Sequence, residues 1–335
     1  MKGITFAGNI IVDYIKNVDT YPNCGMLANI TSVSRAVGGS LPNTAIDIAK
    51  MDKSVPIAAV GRVGDDENGT YVVGQLNKYG IDTSAVTVSP TQPTSFTDVM
   101  NAPGERTFFQ ARGANAEFAP EHIDIDALDC DIFHIGYILL LDVFDRDDEE
   151  YGTVMAGFLK KVQEKGIKTS VDVVSDSTAD YMKKIAPALK YCNYAIMNEI
   201  ESSSIWGINP RKADGTLDVD NLREVMNKMK DLGVKEKIII HAKEAGFILD
   251  VATGNFCVVP SLKIDKSLIR GSTGAGDAFC AGSLYGLYTG MSDVEILEYA
   301  SCAAACNLFS ENSIDGMKTK DEIIKMMKEC ERQSM

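Results

Sequence analysis

Gly271-Ser272-Thr273-Gly274-Ala275-Gly276-Asp277-Ala278-Phe279, running on into Ala281-Gly282-Ser283, is a glycine loop that opens a helix of small residues. Glycines let the backbone turn tightly and aim successive N–H groups into one concavity. The helix adds its positive N-terminal end, so an anion fits there. An acid inside such a cradle needs a reason. Asp277 can accept the proton of an alcohol while the N–H groups stabilise charge on a transferring phosphoryl group; the plainer alternative is an N-cap beside a turn. The stretch is not a P-loop, because Gly-x-x-x-x-Gly-Lys-Ser/Thr occurs nowhere. Nor is it the dinucleotide fingerprint, whose spacing and place before a first helix are not met.

Outward from this loop, short β-rich runs at residues 4–6, 56–60, 132–135, 169–174, 194–197 and 238–241 alternate with amphipathic helical patterns such as 152–165, 222–232 and 291–308. That rhythm predicts an α/β fold with a doubly wound, mostly parallel sheet flanked by helices. Two stretches break it. Residues 11–37 interleave Val33 and Val37 with Ser and Arg. In residues 93–113, Thr94–Val99 and Arg106–Phe109 flank Asn101-Ala102-Pro103-Gly104 as a hairpin would. The expected division is a core of residues 1–10, 38–92 and 114–335, with a small β-sheet lid of 11–37 and 93–113 over the carboxyl ends of the strands.

Composition narrows the function. The chain has 335 residues, 45% hydrophobic and 24% charged, which excludes disordered, collagenous and disulfide-stapled classes. Lys and Arg number 33 against 47 Asp and Glu, a net charge of −14 with no basic run, so nucleic acid is not an expected partner. A nucleotide would have to be held locally, against the global field. The longest apolar runs, such as Tyr137–Leu141, fall far short of the ~20 residues of a membrane span, and residues 1–16 lack the features of a secretory signal, so the expected location is the cytoplasm. Eight Cys are scattered with no Cys-x-x-Cys, and Cys302 and Cys306, four apart in an alanine-rich stretch, read as buried free thiols. His122, His134 and His241 look too dispersed for a metal cluster.

Three further groups carry chemistry. Gly38-Gly39-Ser40-Leu41-Pro42-Asn43 opens a helical pattern; the glycines admit a polar ligand and Asn43 can bond its hydroxyls, or the group is a turn and cap. Asp13 follows a strand ending in Gly8-Asn9, where sites form, although an acid there can equally cap or face solvent. Asn198-Glu199-Ile200-Glu201 sets Asn198 and Glu201 on one side of a helical turn. They suit water around Mg²⁺, or simply a capping box.

In this order and spacing, with Gly61-Arg62-Val63-Gly64-Asp65-Asp66-x-x-Gly69 between them, these segments resemble the ribokinase-like (PfkB) carbohydrate kinase family over essentially the whole chain. The resemblance implies a ribokinase-like fold and ATP-dependent transfer of the γ-phosphoryl group to a primary hydroxyl of a sugar. It implies Asp277 as general base and Gly274, Ala275 and Gly276 as the anion hole. Asp13, Gly38, Gly39, Asn43 and the lid residue Arg106 would contact substrate. Asn198, Glu201, Lys243, Thr273, Ser301 and Asn307 would serve the nucleotide, with Mg²⁺ held by Glu201 through water. The turn from Gly64 to Gly69 is read as structural.

One departure matters: Gly271 and Ser272 stand where many members have Asp-Thr, and that Asp helps bind a monovalent cation in potassium-activated members, so K⁺ is not an expected cofactor. Two other readings stay open, a nucleoside kinase of the same fold, with Phe96, Phe108 and Phe109 as stacking candidates, and a catalytically silent sensor. The edges of the lid strands predict a homodimer formed through the lid.

Overall fold

The computed structural model describes residues 1–102 and 105–334, so the Pro103-Gly104 turn expected for the hairpin lies outside the described residues. Among the described residues, thirteen strands of three or more residues divide into two sheets: β1 (Ile4–Gly8), β2 (Ile11–Val18), β3 (Ile30–Gly38), β4 (Ile57–Gly64), β5 (Asp82–Ser89), β6 (Phe96–Ala102), β7 (Glu105–Ala111), β8 (Ile132–Ile138), β9 (Lys168–Val173), β10 (Tyr194–Asn198), β11 (Lys237–His241), β12 (Ala245–Asp250) and β13 (Phe256–Pro260). The large sheet runs β13-β12-β11-β10-β9-β8-β1-β4-β5. Strands β11 through β5 in that order are parallel; β12 and β13 close one end antiparallel. The principal helices are α1 (Ser40–Met51), α2 (Glu67–Lys78), α3 (Val154–Glu164), α4 (Glu199–Ser204), α5 (Val219–Leu232), α6 (Ala275–Thr289), α7 (Asp293–Asn307) and α8 (Lys320–Glu329).

The parallel strands read as nearly continuous apolar runs because both faces are covered. Side chains alternate between two cores: Ile4, Phe6 and Ile239 pack with α1, α6 and α7, while Ala7, Ile238 and Ile240 pack with α3 and α5. The helices begin where capping residues satisfy free N–H groups. Thr153 caps α3, Asp218 caps α5 and Ser292 with Glu295 forms a capping box on α7. Among the described residues, no helix is long and apolar enough to cross a membrane.

The small sheet, β3-β2-β6-β7, is two antiparallel hairpins joined through parallel β2 and β6. Its residues leave the core after Gly8 and return at Gly38, immediately before α1, which suspends it over the carboxyl ends of the core strands. Lys16 pairs with Asp98 at 2.5 Å across β2 and β6. Arg35 lies 4.1 Å from the Tyr71 ring centroid on α2 and pairs with Glu67 at 3.1 Å, tying the lid to the core. The glycine turn before α2 is structural: Asp66 accepts from Gly69 N at 2.8 Å and from Thr94 Oγ1 at 2.6 Å.

Candidate active site

Gly274 holds φ +80°, and a Cβ there would lie 2.5 Å from Ser313 Cβ, so glycine is required by both conformation and space. This turn starts α6 and puts Asp277 in its first turn, 7% exposed. Gly39, with φ +92°, does the same for α1 and sets Asn43 facing it. Asn43 Nδ2 donates to Asp277 Oδ2 at 2.8 Å, and Asn43 Oδ1 accepts from Ser313 Oγ at 2.8 Å. Tyr137, at the end of β8, donates its hydroxyl to Asp277 Oδ1 at 2.6 Å. Burial pushes the Asp277 carboxyl up to about 6, against the pull of these two donors.

Three clefts border the glycine loop, and Asp277 lines the second of them. The first lies between lid and core and is lined by Asp13, Asn17, Asn101, Arg106, Arg270 and Thr273, among others. Burial, and then the Asp277 charge, push Asp13 up to about 7. A Cβ on Gly38 would sit 2.2 Å from Asp13 Oδ2, so Gly38 makes room for that carboxylate. Arg106 reaches from β7 across to Thr273 Oγ1 in the glycine loop and donates to Asn101 Oδ1 at 3.3 Å.

The second cleft is lined by Tyr137, Asp172, Ser175, Asn198, Glu201, Gly274, Gly276 and Asp277. Asn198 caps α4, accepting from Glu201 N at 2.8 Å, while Glu201 Oε2 accepts from Asn198 N at 3.0 Å and Oε1 from Ser175 Oγ at 2.8 Å. The capping box and the cleft wall are therefore the same residues. Burial raises Glu201 to about 7, and burial with the neighbouring Glu201 and Asp277 charges raises Asp172 well above the usual carboxylate range. Three carboxylates facing one cleft repel one another, which fits a site for a hard cation with oxygen ligands such as Mg²⁺.

The third cleft is mainly apolar. Its walls include His241, Ile264, Ile269, Phe279, Ala304 and Leu308, with Ala275 and Gly276 at the boundary it shares with the glycine loop. His241 and Phe279 lie 4.9 Å apart between ring centroids. Lys243 stands on the rim, its side chain 80% exposed and 3.6 Å from Glu244. Ser301 faces this cleft, although its hydroxyl donates back to Leu297 O at 2.7 Å.

Two of the expected nucleotide contacts lie outside the apolar cleft. Ser301, Ala304, Ala305 and Leu308 line it, whereas Asn307 is not among its lining residues and sits off that helical face. There Asn307 Nδ2 donates to Ser313 O at 2.6 Å. Thr273, expected on the nucleotide side, lines the lid cleft. Sequence reading missed Tyr137, Asp172 and Ser313. Asp172 did leave a signal, an acid between two buried valines of a strand.

A buried carboxylate beside the glycine turn that starts a helix, in a cleft with two further carboxylates, suits one class of reaction, phosphoryl transfer to an alcohol. Residues 1–320 match the family model described as pfkB family carbohydrate kinase. A 5-dehydro-2-deoxygluconokinase of Listeria monocytogenes is 25% identical over 312 residues, covering 89% of this chain and 88% of the relative. An Arabidopsis thaliana ribokinase solved with ribose and ATP superposes with a TM-score of 0.78 at 20% identity, covering 98% of this chain and 99% of that one. An E. coli protein described as a putative ribokinase II, solved with ATP and Mg²⁺, gives a TM-score of 0.77 at 18% identity over 98% and 99% of the two chains. The chain belongs to the pfkB family of carbohydrate kinases, phosphotransferases with an alcohol group as acceptor, and has the ribokinase fold.

Proposed function

We propose that this kinase transfers the γ-phosphoryl group of ATP to a primary hydroxyl of a sugar acid, with Asp277 as general base. The observation that carries the reading is the Asp277 carboxylate itself: buried, raised to about 6, oriented by Tyr137 and Asn43, and set at the start of α6 on the wall of the carboxylate cleft. A base with a value near neutrality accepts the hydroxyl proton as the oxygen attacks. The N–H groups of Gly274, Ala275 and Gly276, at the positive end of α6, face the charge that develops on the phosphoryl oxygens. Asn198, Glu201 and Asp172 would hold Mg²⁺, directly or through water, and the ion would neutralise phosphate charge. The apolar cleft around His241 and Phe279 has the character an adenine ring needs, with Lys243 and Ser301 at its edge.

Sugar hydroxyls would meet Asp13, whose carboxylate makes no hydrogen bond among the described residues, together with Asn17 and Asn101. Arg106 and Arg270 line the same cleft and form no ion pair among the described residues, which suits a substrate carboxylate. Kinases of an acidic sugar are also among the relatives by name. Among the described residues the cleft offers no ring to stack on, and Phe108 and Phe109 are 55% and 59% exposed, so a nucleoside base finds little support there. Those exposed rings on β7, with Ile30 and Val33 on the opposite edge strand β3, suit a second copy pairing through the lid.

The test is ADP release with Mg·ATP across sugar acids, neutral ketoses and aldoses, and nucleosides, with and without K⁺, beside Asp277→Asn. Turnover confined to a sugar acid and lost in the variant supports the reading. Equal turnover of the variant refutes the base, and a preference for nucleosides refutes the substrate. Light scattering at micromolar concentration reads the dimer, which a monomeric mass would exclude.

A further inference from the structure

His134, Asp172 and Cys280, which look unrelated in sequence, converge behind the carboxylate cleft. Their donor atoms, one each from β8, β9 and α6, all lie within 4.8 Å of one another. His134 Nε2 stands 3.9 Å from Cys280 Sγ. Tetrahedral zinc with ordinary Zn–N and Zn–S bonds needs those two atoms ~3.6 Å apart, so a small contraction closes the site. On the far side of the ring, His134 Nδ1 shares a hydrogen bond with Ser170 Oγ at 3.0 Å. With the proton on Nδ1 donated to Ser170, the Nε2 lone pair is left facing the sulfur, the outer bond that metal-ligating histidines characteristically make. His134 is 0% exposed and Cys280 1%, whereas Asp172 lines the cleft beside Asp277 and gives a path of entry.

We propose that His134, Asp172 and Cys280 bind one zinc-class divalent cation, with its fourth position open toward the cleft, and that occupancy inhibits the kinase. Thiolate, imidazole and carboxylate form a donor set that selects zinc-like ions, whereas Mg²⁺ prefers the all-oxygen side at Glu201 and Asn198. Binding takes the proton from the Cys280 thiol and releases it to solvent. The bound dication then sequesters Asp172 and sets positive charge close to Asp277, weakening the base and repelling Mg²⁺. The inhibitory half rests on the kinase reading above; the binding half does not.

The test uses protein with the two exposed thiols removed, Cys24→Ser and Cys330→Ser, stripped with a chelator and titrated with Co²⁺. One equivalent should raise thiolate-to-cobalt charge-transfer absorption and tetrahedral ligand-field bands, and Zn²⁺ should displace it. The bands should vanish in Cys280→Ala and in His134→Gln, persist in Cys302→Ala, and require about tenfold more Co²⁺ in Ser170→Ala. Circular dichroism identifies any variant that fails to fold, and the other ligand variant then decides. Absence of the bands in the starting protein, or their survival in folded Cys280→Ala, overturns the site. One equivalent of Zn²⁺ should also suppress ADP release in the starting protein and not in Cys280→Ala; cobalt bands without that suppression overturn the inhibitory role.

Discussion

The Tyr137 hydroxyl donates to Asp277 Oδ1 at 2.6 Å, so the carboxylate at the start of α6 is held by a residue from the end of β8. That bond favours the charged form and partly offsets the rise that burial imposes. In Tyr137→Phe the donor is gone and the Asp277 value must move further up. The acidic limb of the pH profile of kcat/KM, expected near 6 in the parent, should shift to higher pH, with kcat at alkaline pH much less affected. A limb that stays in place would show that Asp277 does not govern it.

Asp277→Asn removes the proton acceptor while keeping the side chain's size and its Asn43 neighbour. Turnover should fall by about 10²–10⁴-fold, the usual contribution of a positioned general base. Measuring kcat with saturating Mg·ATP and sugar, alongside near-ultraviolet circular dichroism, separates lost chemistry from lost structure.

Asp13 gives a pH-dependent stability effect of defined sign. Its folded value of about 7 lies above the ordinary carboxylate value, so the folded chain holds this proton more tightly than the unfolded chain. The associated stability is full below the ordinary carboxylate range and is lost as pH rises through about 7. Asp13→Asn, which stays neutral, should therefore gain in Tm over the parent at about pH 8 and show a smaller gain at about pH 5. Thermal denaturation at the two pH values reads the difference.

Arg106 bridges lid and glycine loop through Thr273 and faces the cleft holding Asp13. If it meets a substrate carboxylate, Arg106→Ala removes a charged hydrogen bond of about 1.5–3 kcal/mol, raising KM for a sugar acid roughly 10–100-fold. The KM for Mg·ATP should change little. Equal losses for acidic and neutral sugars would make the residue a lid fastener only.

Gly274→Ala places a Cβ 2.5 Å from Ser313 Cβ at a φ of +80°. The strain should cost ~1–3 kcal/mol of stability. Urea denaturation measures it, and Gly166→Ala, where nothing lies within 4 Å at a φ of +78°, separates the cost of the dihedral from that of the clash.

How much of this was legible follows from the range of each interaction. The alternating runs around residues 132–135 and 194–197 appear as β8 and β10, because a parallel strand buried on both faces must be apolar and β-branched whatever its neighbours. The residues between Asn101 and Arg106 announced a hairpin through turn chemistry, and β6 pairs antiparallel with β7. Gly274 and Gly39 stood out for the same reason: a residue that must adopt positive φ at a helix start leaves a mark in the sequence. Asn307 shares its helix with Ser301 but does not line the apolar cleft, because helical phase relative to a cleft built by other elements decides which residues reach it.

The sequence by itself determined the βαβ rhythm, the appended lid strands and the glycine-bounded helix starts carrying Asn43 and Asp277, since periodicity, turn propensity and capping act within a few residues. Only the tertiary structure decided that Tyr137 and Asn43 share Asp277, that Arg106 crosses to Thr273, and that His134 and Cys280 converge on Asp172. Those meetings depend on strand order and on how α1 and α6 pack against the sheet. Long-range packing sets both, and no local pattern in the chain encodes the resulting distances.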